Sequence, residues 1–103
     1  MALKMENWTS ILKALADESR IKIIHELLKQ EATVQDLSAI LNIQIYNMSK
    51  HLKILEANEL VKKRKDGRSR IYYVTESLRS RLSGDNHVLD LGCCKFVFGD
   101  SMK

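Results

Sequence analysis

The chain has no proline and few glycines or cysteines, and these shortages exclude several classes of protein. Its 103 residues include four glycines and two cysteines. Without proline, an internal repeat or a low-complexity tract, no segment resembles a linker between domains. No glycine-rich loop could cradle a phosphate, and no Ser/His/Asp set or motif of paired catalytic carboxylates is recognisable. The sequence therefore predicts a protein that is not an enzyme.

Long apolar runs are also missing. No run approaches the roughly 18 apolar residues that a membrane-spanning helix requires. Residues 1–8 lack the apolar core of a signal peptide. Hydrophobic residues make up 45% of the chain and charged residues 29%, which is ordinary for one soluble domain. We expect a cytoplasmic protein with no membrane partner.

The positive charge of the chain is concentrated in one segment. Residues 1–49 contain five Lys or Arg and six Asp or Glu, residues 50–70 contain eight and three, and residues 71–103 contain four and four. The three segments carry net charges of −1, +5 and 0, so the whole excess lies in 21 residues. Such a local excess is typical of a surface that binds a polyanion, although a solvated charged loop is the alternative.

The first half of the chain has the apolar spacing of three amphipathic helices. The first runs from Trp8 to Ala16, and the second starts after an N-cap at Asp17 and ends near Lys29. Residues 33–36 resemble a capping box, which opens a third helix ending near Asn42. The residues predicted to face the core are Ile21, Ile24, Leu27 and Leu28 in the second helix, and Val34, Leu37, Ile40 and Leu41 in the third.

A fourth helix, over about residues 44–55, has one apolar and one polar face. Because it follows the third helix after a short turn, the pair predicts a helix-turn-helix. Its polar face carries groups that hydrogen-bond base edges and phosphates. The inward residues are predicted to be Ile45, Met48, Leu52 and Leu55, and the outward ones Tyr46, Lys50 and Lys53, flanked by Asn47 and Ser49.

A basic β-hairpin follows this helix over about residues 61–74. Asp66-Gly67 separates two strand-like runs and predicts a type I′ turn, in which both central residues have positive φ. That register places Lys65 opposite Arg68 and Lys63 opposite Arg70. A nearby anion such as a phosphate would relieve the repulsion between these like charges.

The predicted fold is mainly α with a small β-hairpin, a winged helix-turn-helix over residues 1–82. Glu76 to Leu82 forms only a short helical segment. The composition of residues 87–98 favours a strand over a helix, so an extra C-terminal strand is predicted within residues 83–103.

The C-terminal tail contains Cys93 and Cys94, and a disulfide between adjacent residues would be strained. Two interpretations stay open, a thiol sensor that binds a soft metal or metalloid or reacts with an oxidant, and buried structural cysteines in a dimer-forming strand. The fold itself requires no cofactor.

Three motifs together resemble the ArsR/SmtB type of bacterial winged helix-turn-helix repressor. They are residues 14–21 at the start of the second helix, residues 49–55 in the fourth helix, and the hairpin residues 60–61, 66–68 and 72–73. The resemblance covers about residues 8 to 75. It implies a homodimer that binds operator DNA and represses transcription until an inducer, often a metal ion or a redox signal, releases it.

The resemblance also implies which residues form the sites. The DNA-binding residues would be Ile45, Tyr46, Asn47, Ser49, Lys50, His51, Lys65, Arg68 and Arg70, although the helical position of His51 favours packing or a phosphate contact over base reading. We further expect Trp8, Ile11 and Leu15, together with the C-terminal strand, to contribute to the dimer.

The sequence departs from the family pattern in its cap, its last helix and its thiols. Gln44 stands where a small N-cap residue is usual, so the recognition helix should be less well capped. The long C-terminal helix of the family is missing, as is the Cys-X-Cys run on the third helix. A winged-helix module that binds another protein is the alternative function.

Overall fold

The computed structural model describes residues 8–83, 88–90 and 95–97, which form five helices and five strands. The elements, in chain order, are α1 Trp8–Leu15, α2 Glu18–Lys29, α3 Val34–Leu41, α4 Ile45–Ala57, β1 Val61–Asp66, β2 Ser69–Val74, α5 Glu76–Arg79, β3 Leu82–Ser83, β4 Val88–Asp90 and β5 Lys95–Val97.

The predicted helix ends are confirmed by their hydrogen bonds. The Asp17 carboxylate accepts from the backbone N–H of Arg20 at 3.1 Å and caps α2. In the capping box of α3, the Thr33 hydroxyl accepts from the backbone N–H of Asp36 at 3.0 Å, while the Asp36 carboxylate accepts from that of Thr33 at 3.3 Å. Asn42 ends α3 with φ 56°, in the left-handed region that asparagine tolerates.

The hydrophobic core is centred on α2, which contacts α1, α3, α4 and β2. Because it is covered on several sides, α2 buries a wider arc than one stripe. Ile23 is fully buried, which the spacing did not predict, whereas Ile21 and Leu28 are only partly buried. The described core consists of Ile11, Ala14, Leu15, Ile23, Ile24, Leu27, Ala32, Leu37, Met48, Leu52, Leu55, Leu60, Val61, Tyr72, Val74, Leu78 and Leu89.

Two residues predicted to face the core are exposed instead. Ile40 is 52% exposed and Ile45 is 51% exposed. Ile45 is the first residue of α4, and the buried stripe of this helix begins a turn later at Met48. Helical spacing alone assigns Ile45 to the buried face of α4. In the structure the neighbouring elements cover α4 only from Met48 onward, so Ile45 in the first turn stays exposed.

The hairpin forms as predicted, but its register is different. Asp66 pairs with Ser69 and Lys65 pairs with Arg70, so the central turn residues are Gly67 and Arg68. Gly67 has φ +63° and Arg68 has no positive φ. Only the first of the two central residues has a positive φ, and that residue is a glycine, as in a type II′ turn. The predicted type I′ turn, which needs a positive φ at both central residues, is therefore wrong. Lys63 faces Tyr72, so one like-charge pair remains where two were expected.

Hydrogen bonds at two places attach the hairpin to the helices. The segment between α2 and α3 adds one bridge to β2, since Ala32 and Tyr72 exchange backbone hydrogen bonds of 3.2 and 2.8 Å. At the base of the hairpin, the Thr75 hydroxyl donates to the carbonyl of Glu59 at 2.8 Å. These bonds fix the hairpin beside α3 and α4 as a wing.

The C-terminal segment contributes strands, as predicted. β3, β4 and β5 form an antiparallel sheet in that order, and Leu89 of β4 is fully buried in the core. Leu89 therefore anchors the middle strand of this sheet to the core of the winged helix-turn-helix. Cys93 and Cys94 lie outside the described residues.

The burial pattern of α4 predicts how two substitutions affect stability. Leu52 is fully buried, whereas Ile54 on the same helix is 40% exposed. Leu52→Ala should lower the free energy of unfolding by about 2–5 kcal/mol, since it removes buried methyl groups and leaves a cavity. The matched control Ile54→Ala should cost less than about 1.5 kcal/mol. Urea denaturation measures both, and equal losses of stability would contradict the orientation of α4.

Candidate nucleic-acid interface

The outer face of α4 is polar and open to solvent. Tyr46 is 70% exposed, and Asn47, Lys50 and Lys53 are exposed beside it, while Ser49 is half-buried. The ammonium of Lys50 lies 5.0 Å from the centroid of the Tyr46 ring, close enough for a cation–π contact. As predicted, Gln44 makes no side-chain cap hydrogen bond.

His51 lies apart from this exposed face. Its ring is half-buried, and its Nδ1 lies 3.2 Å from Nη1 of Arg20 on α2. This position agrees with the predicted packing role, and it makes direct base reading by His51 unfavourable in this arrangement.

The six cations of the wing fall into two groups. Lys63 is paired with Glu56 of α4 at 3.5 Å, and Arg64 is paired with Glu31 of the α2–α3 segment. The other four make no ion pair with an acidic residue of the described ranges. These four exposed cations are Lys62, Lys65, Arg68 and Arg70.

A polar cleft of about 340 Å³ joins the wing to the helix-turn-helix. Arg68 and Arg70 from the wing and Ser49 from α4 all line it, so three predicted site residues from two elements share one surface. Gln35 from the first turn of α3 also lines the cleft, and the sequence prediction missed it. The Ala32–Tyr72 bridge joins the segment before α3 to the wing, and no local sequence pattern indicates this bridge.

The pair formed by Glu31 and Arg64 shifts the pKa of both groups. The hydrogen bond from the guanidinium lowers the pKa of Glu31 below its usual 4.5 and raises the pKa of Arg64. Both side chains are about half exposed, so solvent screens the pair and it adds little to stability. It also occupies a cation that would otherwise be available to an anionic ligand.

The other predicted site residues have different surroundings. Ile11 and Leu15 are buried within the core of a single chain, so they support α1 from inside and offer no surface to a partner. Trp8 begins α1. No group of three or more His, Cys, Asp or Glu side chains within residues 8–83, 88–90 and 95–97 could hold a metal ion. No helix in the described part of the chain is long and apolar enough to cross a membrane.

Comparison with known proteins assigns the family. Residues 17–63, from the cap of α2 into β1, match the model of the arsR family of bacterial regulatory proteins. The arsenical resistance operon repressor of Staphylococcus xylosus is 32% identical over 91 residues, which cover 84% of this chain and 88% of that repressor. The chain belongs to the ArsR family.

Other relatives of this ArsR-family chain are regulators too. A SmtB-homologous transcriptional repressor of Synechocystis is 37% identical over 86 residues, covering 84% of this chain. The chain spans 58% of the length of that relative. The solved structure of HlyU from Vibrio cholerae is 32% identical, with a TM-score of 0.66 over 70% of this chain and 78% of HlyU. These matches agree with the winged helix-turn-helix fold.

The Glu31–Arg64 pair predicts a specific titration. Because the pKa of Glu31 is lowered, its contribution to stability is fully present above about 4.5, the usual value, and is lost as pH falls through the lowered folded value. The NMR titration of the Glu31 carboxyl carbon should therefore have a midpoint below 4.5. Arg64→Gln should return that midpoint toward the usual value. A midpoint that the substitution leaves unchanged would contradict the pair.

Proposed function

We propose that this protein is a sequence-specific, duplex-DNA-binding transcriptional regulator. One observation carries the proposal: Ser49, at the edge of the polar face of α4, and the exposed wing cations Arg68 and Arg70 line a single polar cleft. A helix of ordinary width fits the major groove of B-DNA, and cations beside such a helix can reach the flanking phosphates.

The proposed roles follow from chemistry and exposure. Asn47 can donate to and accept from a base edge, Lys50 can donate to a guanine, and the Ile45 side chain can contact a thymine methyl. Tyr46 and Ser49 carry hydroxyls that suit a base or a phosphate. On the wing, Lys65, Arg68 and Arg70 would contact phosphates. His51 would act on α4 instead of on the DNA.

We propose that the active form is a homodimer. One recognition helix reads only a few base pairs, whereas a two-fold symmetric operator doubles the contacts. With Ile11 and Leu15 buried inside the protomer, the α1 contribution would come from Trp8, as the sequence predicts, and from the exposed residues Thr9, Ser10 and Lys13. The C-terminal sheet could supply the rest of the interface.

The proposed regulation is release from an operator by an inducer. Two relatives are named arsenical resistance operon repressors, and the SmtB homologue is named a transcriptional repressor. Another relative is named a cadmium resistance transcriptional regulatory protein. HlyU of Vibrio cholerae is named an activator. Repression is favoured because the Staphylococcus xylosus relative, which this chain matches over 88% of its length, is a repressor.

The DNA-binding surface can be tested by removing two of its cations. A fluorescent duplex selected from a random pool serves as the ligand, and anisotropy measures binding between about 0.05 and 0.2 M salt. Lys50→Ala with Arg68→Ala should weaken binding by about 2–6 kcal/mol, taking about 1–3 kcal/mol for each good contact. The slope of log affinity against log salt should also become shallower by about 0.9 for each phosphate that the variant no longer neutralises.

The matched control removes two cations from α2. Lys22 and Lys29 are paired with Glu18 and Glu26 on their own helix, and neither lysine lines the cleft. Lys22→Ala with Lys29→Ala changes the net charge equally and should leave affinity within about threefold of the parent. Equal weakening in both double variants would show nonspecific attraction and contradict the proposal. At saturation the dimer predicts two chains per duplex, and a single chain would contradict it.

The cysteine pair is the proposed inducer site, and it can be tested with the same duplex. Cys93 and Cys94 lie outside the described residues, so this proposal depends on thiol chemistry alone. Arsenite, zinc or a mild oxidant should release the reduced protein from DNA. Cys93→Ser with Cys94→Ser should bind DNA and resist release. Release of this variant to the same extent as the parent would exclude the pair as the sensor.

A further inference from the structure

Arg20 connects three parts of the molecule through one largely buried guanidinium. Its Nε donates to the carbonyl of Ala14 at 2.6 Å, and its Nη2 donates to that of Lys13 at 3.3 Å. Both carbonyls belong to the last turn of α1, so Arg20 closes the end of that helix. Its Nη1 lies 3.2 Å from Nδ1 of His51 on the recognition helix. The side chain of Arg20 is 14% exposed.

The contact between Arg20 and His51 has only one possible direction. A guanidinium has no acceptor and does not deprotonate in proteins, so Arg20 must donate and Nδ1 must accept. Nδ1 has a free lone pair only in the neutral imidazole with its proton on Nε2. Protonation of His51 would remove the acceptor and place two cations within hydrogen-bond distance. The contact therefore exists in only one charge state of His51.

We propose that Arg20 and His51 are positioning residues that hold the recognition helix against α1 and α2, and that protonation of His51 releases this hold. The inference rests on the proposed DNA-binding function for its consequence. Affinity for specific DNA should fall when His51 is protonated. In this role His51 acts through the orientation of α4.

The described contacts place one carboxylate and one further cation beside Arg20. Asp17 of the α2 cap lies 3.8 Å from Nη1 of Arg20, which already has one full positive charge. On α1, Lys13 lines the same groove as Arg20 and adds a cation. On α4 itself, His51 follows Lys50 and is two residues from Lys53.

The test is a pH series of DNA binding with three proteins. Anisotropy with the selected duplex, at constant ionic strength, is measured from about pH 8 to about pH 5.5, the range in which histidine titrates. The affinity of the parent should fall about tenfold, the equivalent of one hydrogen bond to a charged group. His51→Gln keeps an acceptor for Arg20 but cannot take a proton, so its affinity should not depend on pH. His25→Gln removes a histidine of α2 that lies outside the contact and should follow the parent.

Three binding results would overturn the inference. One is a pH dependence of His51→Gln equal to that of the parent. Another is an affinity of the parent that rises on acidification while that of His51→Gln does not, because His51 would then contact a phosphate. A parent whose affinity is flat over the whole range would also contradict it.

A measurement without DNA separates this inference from the proposed function. Nitrogen NMR of the free protein reports the tautomer of His51, which should carry its proton on Nε2 at about pH 8. Backbone amides of α4 should shift in step with the His51 titration, and Arg20→Lys should reduce those shifts. If no duplex binds at any salt concentration, the proposed function fails, and the NMR titration still decides the inference. Protonation on Nδ1 in the neutral ring would reject it.

Discussion

The fold depends on α4 burying one face while leaving the opposite face open. Met48, Leu52 and Leu55 are fully buried in the core, whereas Tyr46, Asn47 and Lys50 remain exposed. Burial of the apolar face provides the free energy that holds this short helix in place, because an isolated helix of 13 residues is marginal in water. The exposed face can then carry polar groups for recognition without weakening the core. The neighbouring helices cover the buried side of α4, and the wing extends its open side.

The wing lies beside the exposed face of α4 because contacts along its strands attach it to the helices. The Ala32–Tyr72 bridge, the Thr75 hydroxyl and the ion pairs of Lys63 and Arg64 hold its base to the helices. Toward the tip, the cations have no acidic partner in the described ranges, and two of them share a cleft with α4. The sequence contains six wing cations that look alike, but their surroundings divide them into structural and available charges. Only the available ones suit a phosphate backbone.

Much of this arrangement is predictable because short-range rules determine it. The Asp17 cap, the Thr33 capping box and the left-handed Asn42 are local chemistry, and each is confirmed. The errors lie where tertiary surroundings decide. Ile40 and Ile45 fit the helical spacing of buried residues, but no neighbouring element covers them and they remain exposed. The hairpin register differs from the prediction because Gly67 and Arg68 form the turn. Gln35 and the Arg20–His51 contact could not be predicted, because each joins residues brought together only by the packing of separate elements.

The most direct test of α4 as the recognition helix is to map the surface that DNA contacts. Nitrogen-labelled protein titrated with a selected duplex reports, amide by amide, where the chemical environment changes. We predict that the largest shifts lie in the first two turns of α4 and at the wing tip around Gly67 to Arg70, with α1 and β4 little affected. Shifts confined to α1 or to the C-terminal sheet, with α4 unchanged, would contradict the assignment of α4 as the recognition helix.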